Sequence, residues 1–131
     1  MNVLPLVSVR TVTYNHEGFI ARCLEGILMQ RTSFPFEVVV GEDCSTDRTR
    51  EIVLAYAAEF PDKIRVITSE RNVGGARNAV RVQQACRGKY QAFCEGDDYW
   101  VDPLKLQKQV NFMETHPEIP LCFHNAFVIN E

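Results

Sequence analysis

An α/β layered domain with a largely parallel sheet is the architecture the sequence predicts, and three observations predict it. Short β-branched or apolar runs alternate with segments of helical periodicity along the whole chain, the pattern of strands joined by right-handed helical crossovers. One run, Phe36-Glu37-Val38-Val39-Val40-Gly41, is almost continuously apolar, as expected of a strand covered on both faces. Polar clusters follow the runs at Thr13-Tyr14-Asn15, Glu42-Asp43, Asn72 to Arg77 and Asp97-Asp98. The carboxyl ends of parallel strands are where such sheets bind ligands.

In chain order, Leu6 to Thr13 is rich in β-branched residues and reads as the first strand, delivering a loop at Tyr14-Asn15. Phe19, Ile20, Cys23, Leu24, Ile27 and Leu28 recur at four-residue spacing and form one face of a first helix. Asn15 is placed to cap that helix, and Arg31-Thr32-Ser33 with Pro35 ends it. After the second strand, Ser45 or Thr46 is placed to cap a second helix through Ile52, Ala55, Tyr56 and Phe60, broken by Pro61-Asp62. Ile64 to Ile67 is a third strand. From Ala76 a third helix turns Ala79, Val82, Ala85 and Cys86 inward, with Gly88 as its stop. Tyr90 to Cys94 is the fourth strand. Asp102 caps and Pro103 opens a fourth helix with Leu106, Val110 and Met113 inward, ended by His116-Pro117 and Pro120. Leu121-Cys122-Phe123 starts a fifth strand that reaches Ile129.

The 131 residues, 46% apolar and 24% charged, provide for one core, so residues 1–131 are expected to form one domain. No apolar run approaches the ~18 residues of a membrane span. Met1 to Pro5 lacks the basic flank and long apolar stretch of an export signal. Five cysteines, at 23, 44, 86, 94 and 122, match neither zinc pairs nor a disulfide framework, which points to reduced thiols and a cytoplasmic location. A formal charge of −3 with 14 dispersed Lys and Arg gives no basic footprint, so no nucleic acid is expected as partner.

Asp97-Asp98 is the sharpest chemical signal. A lone acidic pair is most often a solvated turn, but this one follows an apolar strand and sits beside Trp100. Adjacent carboxylates there repel each other and are costly to desolvate unless a cation or hydrogen bonds neutralise them. A hard Mg²⁺ or Mn²⁺ ion held by one or two carboxylates takes its remaining ligands from substrate phosphates, which makes a diphosphate the natural partner. Asn72-Val73-Gly74-Gly75-Ala76-Arg77 sets two glycines before a helix, where free amides and the helix dipole attract phosphate and Arg77 can add a bidentate contact. The spacing fits neither G-x-G-x-x-G nor a P-loop, and a plain loop and cap is the competing reading. Asp43 has two readings, acceptor for a base or ribose and brace of the turn before the second helix. Tyr14 also has two, stacking on a ring and packing. His16, His116 and His124 show no ligand spacing and read as helix-end or core residues, and Trp100 reads as packing.

Together these segments resemble the nucleotide-sugar-binding half of a family 2 glycosyltransferase. Val7 to Asn15 (VSVRTVTYN), Phe36 to Thr49 (FEVVVGEDCSTDRT), Glu70 to Asn78 (ERNVGGARN) and Ala92 to Pro103 (AFCEGDDYWVDP) are similar to four ordered motifs of that family, spread over about residues 6 to 125. The resemblance implies a three-layer α/β/α fold of GT-A type with a mostly parallel sheet, truncated after about five strands. It implies that Val12, Thr13, Tyr14 and Asn15 line the nucleotide and that Asp43 reads the base, usually uracil. It brings Asn72 and Arg77 to the base or diphosphate, Asp97 to the ribose and diphosphate, and Asp98, with Asp97, to a Mn²⁺ or Mg²⁺ ion.

The activity implied is metal-dependent, inverting transfer of a sugar from a nucleotide-diphosphate sugar, usually a UDP-sugar, to the hydroxyl of an unidentified acceptor. The alternative is a non-catalytic nucleotide-sugar-binding module. A nucleotidyltransferase needs a Gly-rich basic loop after the first strand, which Tyr14-Asn15-His16-Glu17 is not. Val12 stands where the family commonly has proline. Glu42 and Glu95 replace the first Asp of their motifs, keeping the charge while moving it outward by one methylene, and the loop from Asn72 to Arg77 is short. Family members continue into an acceptor-binding half that supplies the base, so none is assigned here and the expectation is a longer protein with its base beyond Glu131. In that longer protein, attachment to the inner face of the membrane is the expected placement. A fifth strand without its next neighbour presents an open edge, through which self-association is expected.

Overall fold

The computed structural model describes residues 3–130; Met1, Asn2 and Glu131 lie outside the described residues. Strands and helices alternate: β1 (Val7–Thr13), α1 (Ile20–Leu28), β2 (Phe36–Glu42), α2 (Thr49–Glu59), β3 (Ile64–Ile67), α3 (Gly75–Ala85), β4 (Tyr90–Phe93) and α4 (Lys105–Thr115). The sheet order is β3-β2-β1-β4 and every pairing is parallel, with Val7 opposite Phe36 on one side and Tyr90 on the other. The side chains of β2 alternate between two covered faces and all seven residues are buried, which is why that strand reads as a nearly continuous apolar run.

Val7, Val9, Val38 and Val40 pack with Ile20, Leu24 and Ile27 of α1, Val53 of α2, and Leu106 and Val110 of α4 in one cluster with Trp100. The other face carries α3, where Gly41 lies so close to Asn78 and Val82 that a Cβ would collide with both. The result is the expected three-layer arrangement. Trp100 is a packing residue: its backbone presses on Gly26 of α1, and the Lys105 ammonium lies 4.1 Å above its ring.

Several expectations are corrected. The fifth strand from Leu121 is not formed: residues 116–130 hold no helix or strand, and Leu121, Phe123, Phe127 and Val128 are exposed. Strand propensity is realised only against a neighbour to pair with and a face to bury, and this segment meets neither. The sheet therefore has four strands, and the open edge expected of the fifth does not exist. Asn15 does not cap α1; it takes a left-handed φ of 55°, which Asn tolerates better than most residues. Neither Ser45 nor Thr46 caps α2. Its first amides are bonded instead by Asp47, whose Oδ1 accepts the Thr49 N–H (2.9 Å), and by Glu17, whose Oε2 accepts the Arg48 N–H (3.0 Å). Asp102 accepts the Leu104 N–H (2.9 Å) as a cap does, but α4 begins at Lys105, two residues beyond Pro103. Among the described residues no helix is long and apolar enough to cross a membrane, and all five cysteines are free thiols.

At the amino end of the strands a buried carboxylate ties the sheet together. Glu37 accepts the Ser8 hydroxyl (2.7 Å), the Arg87 amide (2.9 Å), the Arg87 guanidinium (2.8 Å) and the Arg65 guanidinium (3.0 Å). Burial acts to raise its carboxyl, but the bonds from Ser8 and Arg87 and the charge of Arg65 outweigh that and hold it below its ordinary value. A carboxyl depressed in the folded state contributes stability at neutral pH that is lost as pH falls through the glutamate range. Glu37→Gln is expected to lower the unfolding free energy by about 2 kcal/mol, because both guanidinium groups lose their counter-charge but remain half in water. Urea melts at pH 7 and pH 4 check this: the variant should lose less on acidification than the wild type.

Candidate functional site

Parallel pairing brings all four carboxyl ends to one edge of the sheet. β1 binds its neighbours' loops there: the Thr13 carbonyl accepts the Asp43 N–H (3.1 Å) and the Val12 carbonyl accepts the Gly96 N–H (3.0 Å). The loops after β1 and β2 also clasp each other. Asn15 N–H donates to Ser45 Oγ (3.0 Å), and Thr46 N–H donates to Asn15 Oδ1 (2.8 Å). Glu42 is fully buried and its Oε1 accepts the Ser45 N–H (2.8 Å). The expected outward shift of the Glu42 charge is therefore not found; the extra methylene is folded under the loop.

Asp43 is 2% exposed. Its Oδ1 accepts the Val73 N–H (2.7 Å), its Oδ2 accepts the Gly74 N–H (3.0 Å), and Asn72 Nδ2 donates to its carbonyl (3.1 Å). Asp43 thus braces a loop, but it is the loop between β3 and α3 rather than the turn before α2. The Gly74 amide, expected to be free for phosphate, is already bonded. Gly74 itself has φ 90° and ψ 154°, a region essentially reserved for glycine. Arg77 is exposed in the first turn of α3, and Tyr14, 42% exposed, lies on the loop after β1. Val12 is half-buried and Thr13 buried.

The acidic turn closes through the Asp98 N–H, which donates to the Glu95 carbonyl (2.9 Å). Burial and the Asp97 charge push the Asp98 carboxyl up, with His16 opposing; burial and both aspartates push Glu95 up. These carboxylates resist ionising together, so a cation at the turn is favoured by their own repulsion. Among the described residues no three His, Cys, Asp or Glu side chains form a group that could hold an ion unaided. Asp97 and Asp98 offer hard oxygens and leave the remaining coordination positions to a ligand's phosphates, which fits Mg²⁺ or Mn²⁺.

Three rim residues escaped the sequence reading. His16 Nδ1 lies 2.9 Å from Thr13 Oγ1, and a Cβ on Gly96 would come within 2.7 Å of the same ring nitrogen. Asn78, buried at the base of α3, donates to the Gly41 carbonyl (2.9 Å) and accepts from Arg81 Nε (2.8 Å). Arg81 Nη2 donates to the Glu42 carbonyl (3.1 Å) and lies 4.0 Å from Asp43 Oδ1. The three-residue spacing of Asn78 and Arg81, one helix face opposite β2, is the signal that could have found them. His16 had no such signal: apart from Thr13, its neighbours Thr49 and Gly96 are more than 30 residues away in the chain.

The sequence matches Glycosyl transferase family 2 over residues 8–127, and the chain belongs to that family. An uncharacterised protein of Mycobacterium tuberculosis is 47% identical over 125 residues, 95% of this chain and 36% of that protein. The Staphylococcus aureus TarS fragment 1-349 in complex with UDP has a TM-score of 0.73 at 33% identity, covering 85% of this chain and 32% of that one. The mannosyltransferase PcManGT from Pyrobaculum calidifontis, in complex with GDP-Man and Mn²⁺, has a TM-score of 0.73 at 26% identity, covering 85% and 33%. The fold is thus of GT-A type, and the chain spans about a third of the length of these relatives.

Backbone strain on the rim gives a test of how the loops are held. Cys44 has a left-handed φ of 57°, which costs a residue with a Cβ about 1–2 kcal/mol, partly offset in glycine by chain entropy. Cys44→Gly should raise the thermal midpoint by a few degrees, whereas Gly74→Ala should lower stability by about 2 kcal/mol and free Asp43 from its loop. Paired melting curves of the two variants check both signs.

Proposed function

We propose that the chain is the donor-binding part of a metal-dependent glycosyltransferase that takes a UDP-sugar and transfers the sugar, with inversion, to an acceptor hydroxyl. The observation that carries this reading is the turn at Glu95–Asp98, whose crowded carboxylates lie on the same rim as the loop braced by Asp43. A uridine diphosphate is preferred over a guanosine one because TarS, with UDP, is the more similar in sequence of the two structural neighbours.

In this reading Val12, Thr13, Tyr14 and Asn15 line the nucleotide, Tyr14 stacking on the base, and Asp43 with Asn72 fixes the wall that reads its edge. Arg77 and the first amides of α3 face the diphosphate, where a helix start leaves amides unpartnered. Asp98, with Asp97, holds Mn²⁺ or Mg²⁺, which when bound supplies Lewis-acid stabilisation of the departing nucleoside diphosphate. Deprotonation of the acceptor hydroxyl calls for a carboxylate base, and none of the residues named here is assigned that role. Five free thiols support a cytoplasmic setting.

Loss of a residue that merely orients a metal ligand costs 10–100-fold in affinity, so removal of a ligand itself should cost at least about 100-fold. Asp98→Ala is expected to abolish Mn²⁺-dependent binding of UDP in calorimetry. Unchanged affinity removes the metal assignment, and tighter binding of GDP than UDP by the wild type removes the uridine assignment.

A further inference from the structure

Beneath the acidic turn two thiols meet. Cys23 projects from α1 and Cys94 follows β4; both are buried, with their sulfurs 3.8 Å apart. The Cys23 sulfur lies 3.3 Å from the Glu95 carbonyl oxygen, and the Cys94 sulfur lies 3.8 Å from the Asp98 carbonyl oxygen. Those two carbonyls are the first and last of the turn that carries the aspartates. The Glu95 carbonyl thus accepts twice, from the Asp98 amide within the turn and from a thiol on a different element. Thiol hydrogen bonds are weak, but solvent does not reach these two buried sulfurs to compete for their protons.

A buried cysteine is ordinarily a small apolar filler. Here Cys23 shares its helix face with Ile20, Leu24 and Ile27, yet its sulfur contacts a backbone carbonyl of the turn that carries the aspartates. We infer that Cys23 and Cys94 are positioning residues, which donate to the carbonyls at the two ends of the turn and so fix the direction in which Asp97 and Asp98 present their carboxylates. The inference rests on the reading of that pair as the metal site, and it adds a layer of support drawn from α1, a helix that contributes no ligand.

The test compares wild type with Cys23→Ala, Cys94→Ala and the corresponding Ser variants, which keep a hydroxyl donor. Two readouts are taken: hydrogen exchange of the Asp98 amide without metal, and Mn²⁺ affinity in the presence of UDP. The Ala variants should exchange that amide about tenfold faster and bind Mn²⁺ about tenfold more weakly, in the range found when ligand-orienting groups are lost. The Ser variants should stay within about threefold of wild type on both readouts, even where a hydroxyl in an apolar site lowers the global melting temperature. Exchange and affinity that follow melting temperature, whether or not a donor is present, overturn the inference. A wild type that takes up no Mn²⁺ removes the metal reading, and the metal-free exchange comparison then decides by itself whether the thiols brace the turn.

Discussion

The last two carbonyls of β1 hold the site together. Val12 and Thr13 point theirs to opposite sides, one taking the Gly96 amide and the other the Asp43 amide. A central strand with a neighbour on each side is the only element that can do this, and parallel pairing puts both acceptors at the same end. Each loop is thereby anchored at its root to a central strand of the sheet. What the loops add to each other, Asn15 to Ser45 and Asp43 to Val73 and Gly74, refines a placement the sheet has already made.

The two ends of the sheet handle negative charge in opposite ways. At the amino end Glu37 is surrounded by Ser8, Arg65 and Arg87, and its carboxyl is held down. At the carboxyl end burial, and after it the neighbouring aspartates, hold the carboxyls of Glu95 and Asp98 up, with His16 opposing. A fold with no use for the second cluster would gain from replacing it, whereas a site that recruits a cation needs it uncompensated. Charge satisfied within the chain stabilises the scaffold; charge left over is what the proposed cation would relieve.

Alternation and strand-end clusters were legible because both are local: the run from Phe36 to Gly41 and the paired apolar residues of α1 state their period within a few residues. Helix starts were not, because the side chains expected as caps were claimed by partners about 30 residues away, Asn15 by Thr46 and Ser45 by Asn15. The segment from Leu121 to Ile129 failed for the opposite reason. Its composition suits a strand, but nothing in the described residues pairs with it, and composition alone cannot supply a neighbour. The thiols under the acidic turn were unreadable for a third reason: positions 23 and 94 become adjacent only once α1 is laid on the sheet beside β4.

The loop between β3 and α3 shows how little of a site can be assigned from residue types alone. Its glycines suggest a ring of free amides for phosphate, yet Asp43 consumes those of Val73 and Gly74. What remains are the amides of Gly75, Ala76 and Arg77, the ones a helix start leaves without internal partners, and their placement depends on Asp43 keeping its hold. Asp43 is 2% exposed, so its grip on Val73 and Gly74 is shielded from water and fixes the loop in advance of any ligand. An aspartate that braces the loop and one that reads a base are then not competing assignments. By fixing the wall against which a base would lie, Asp43 does the first and makes the second a matter of its unshared lone pairs.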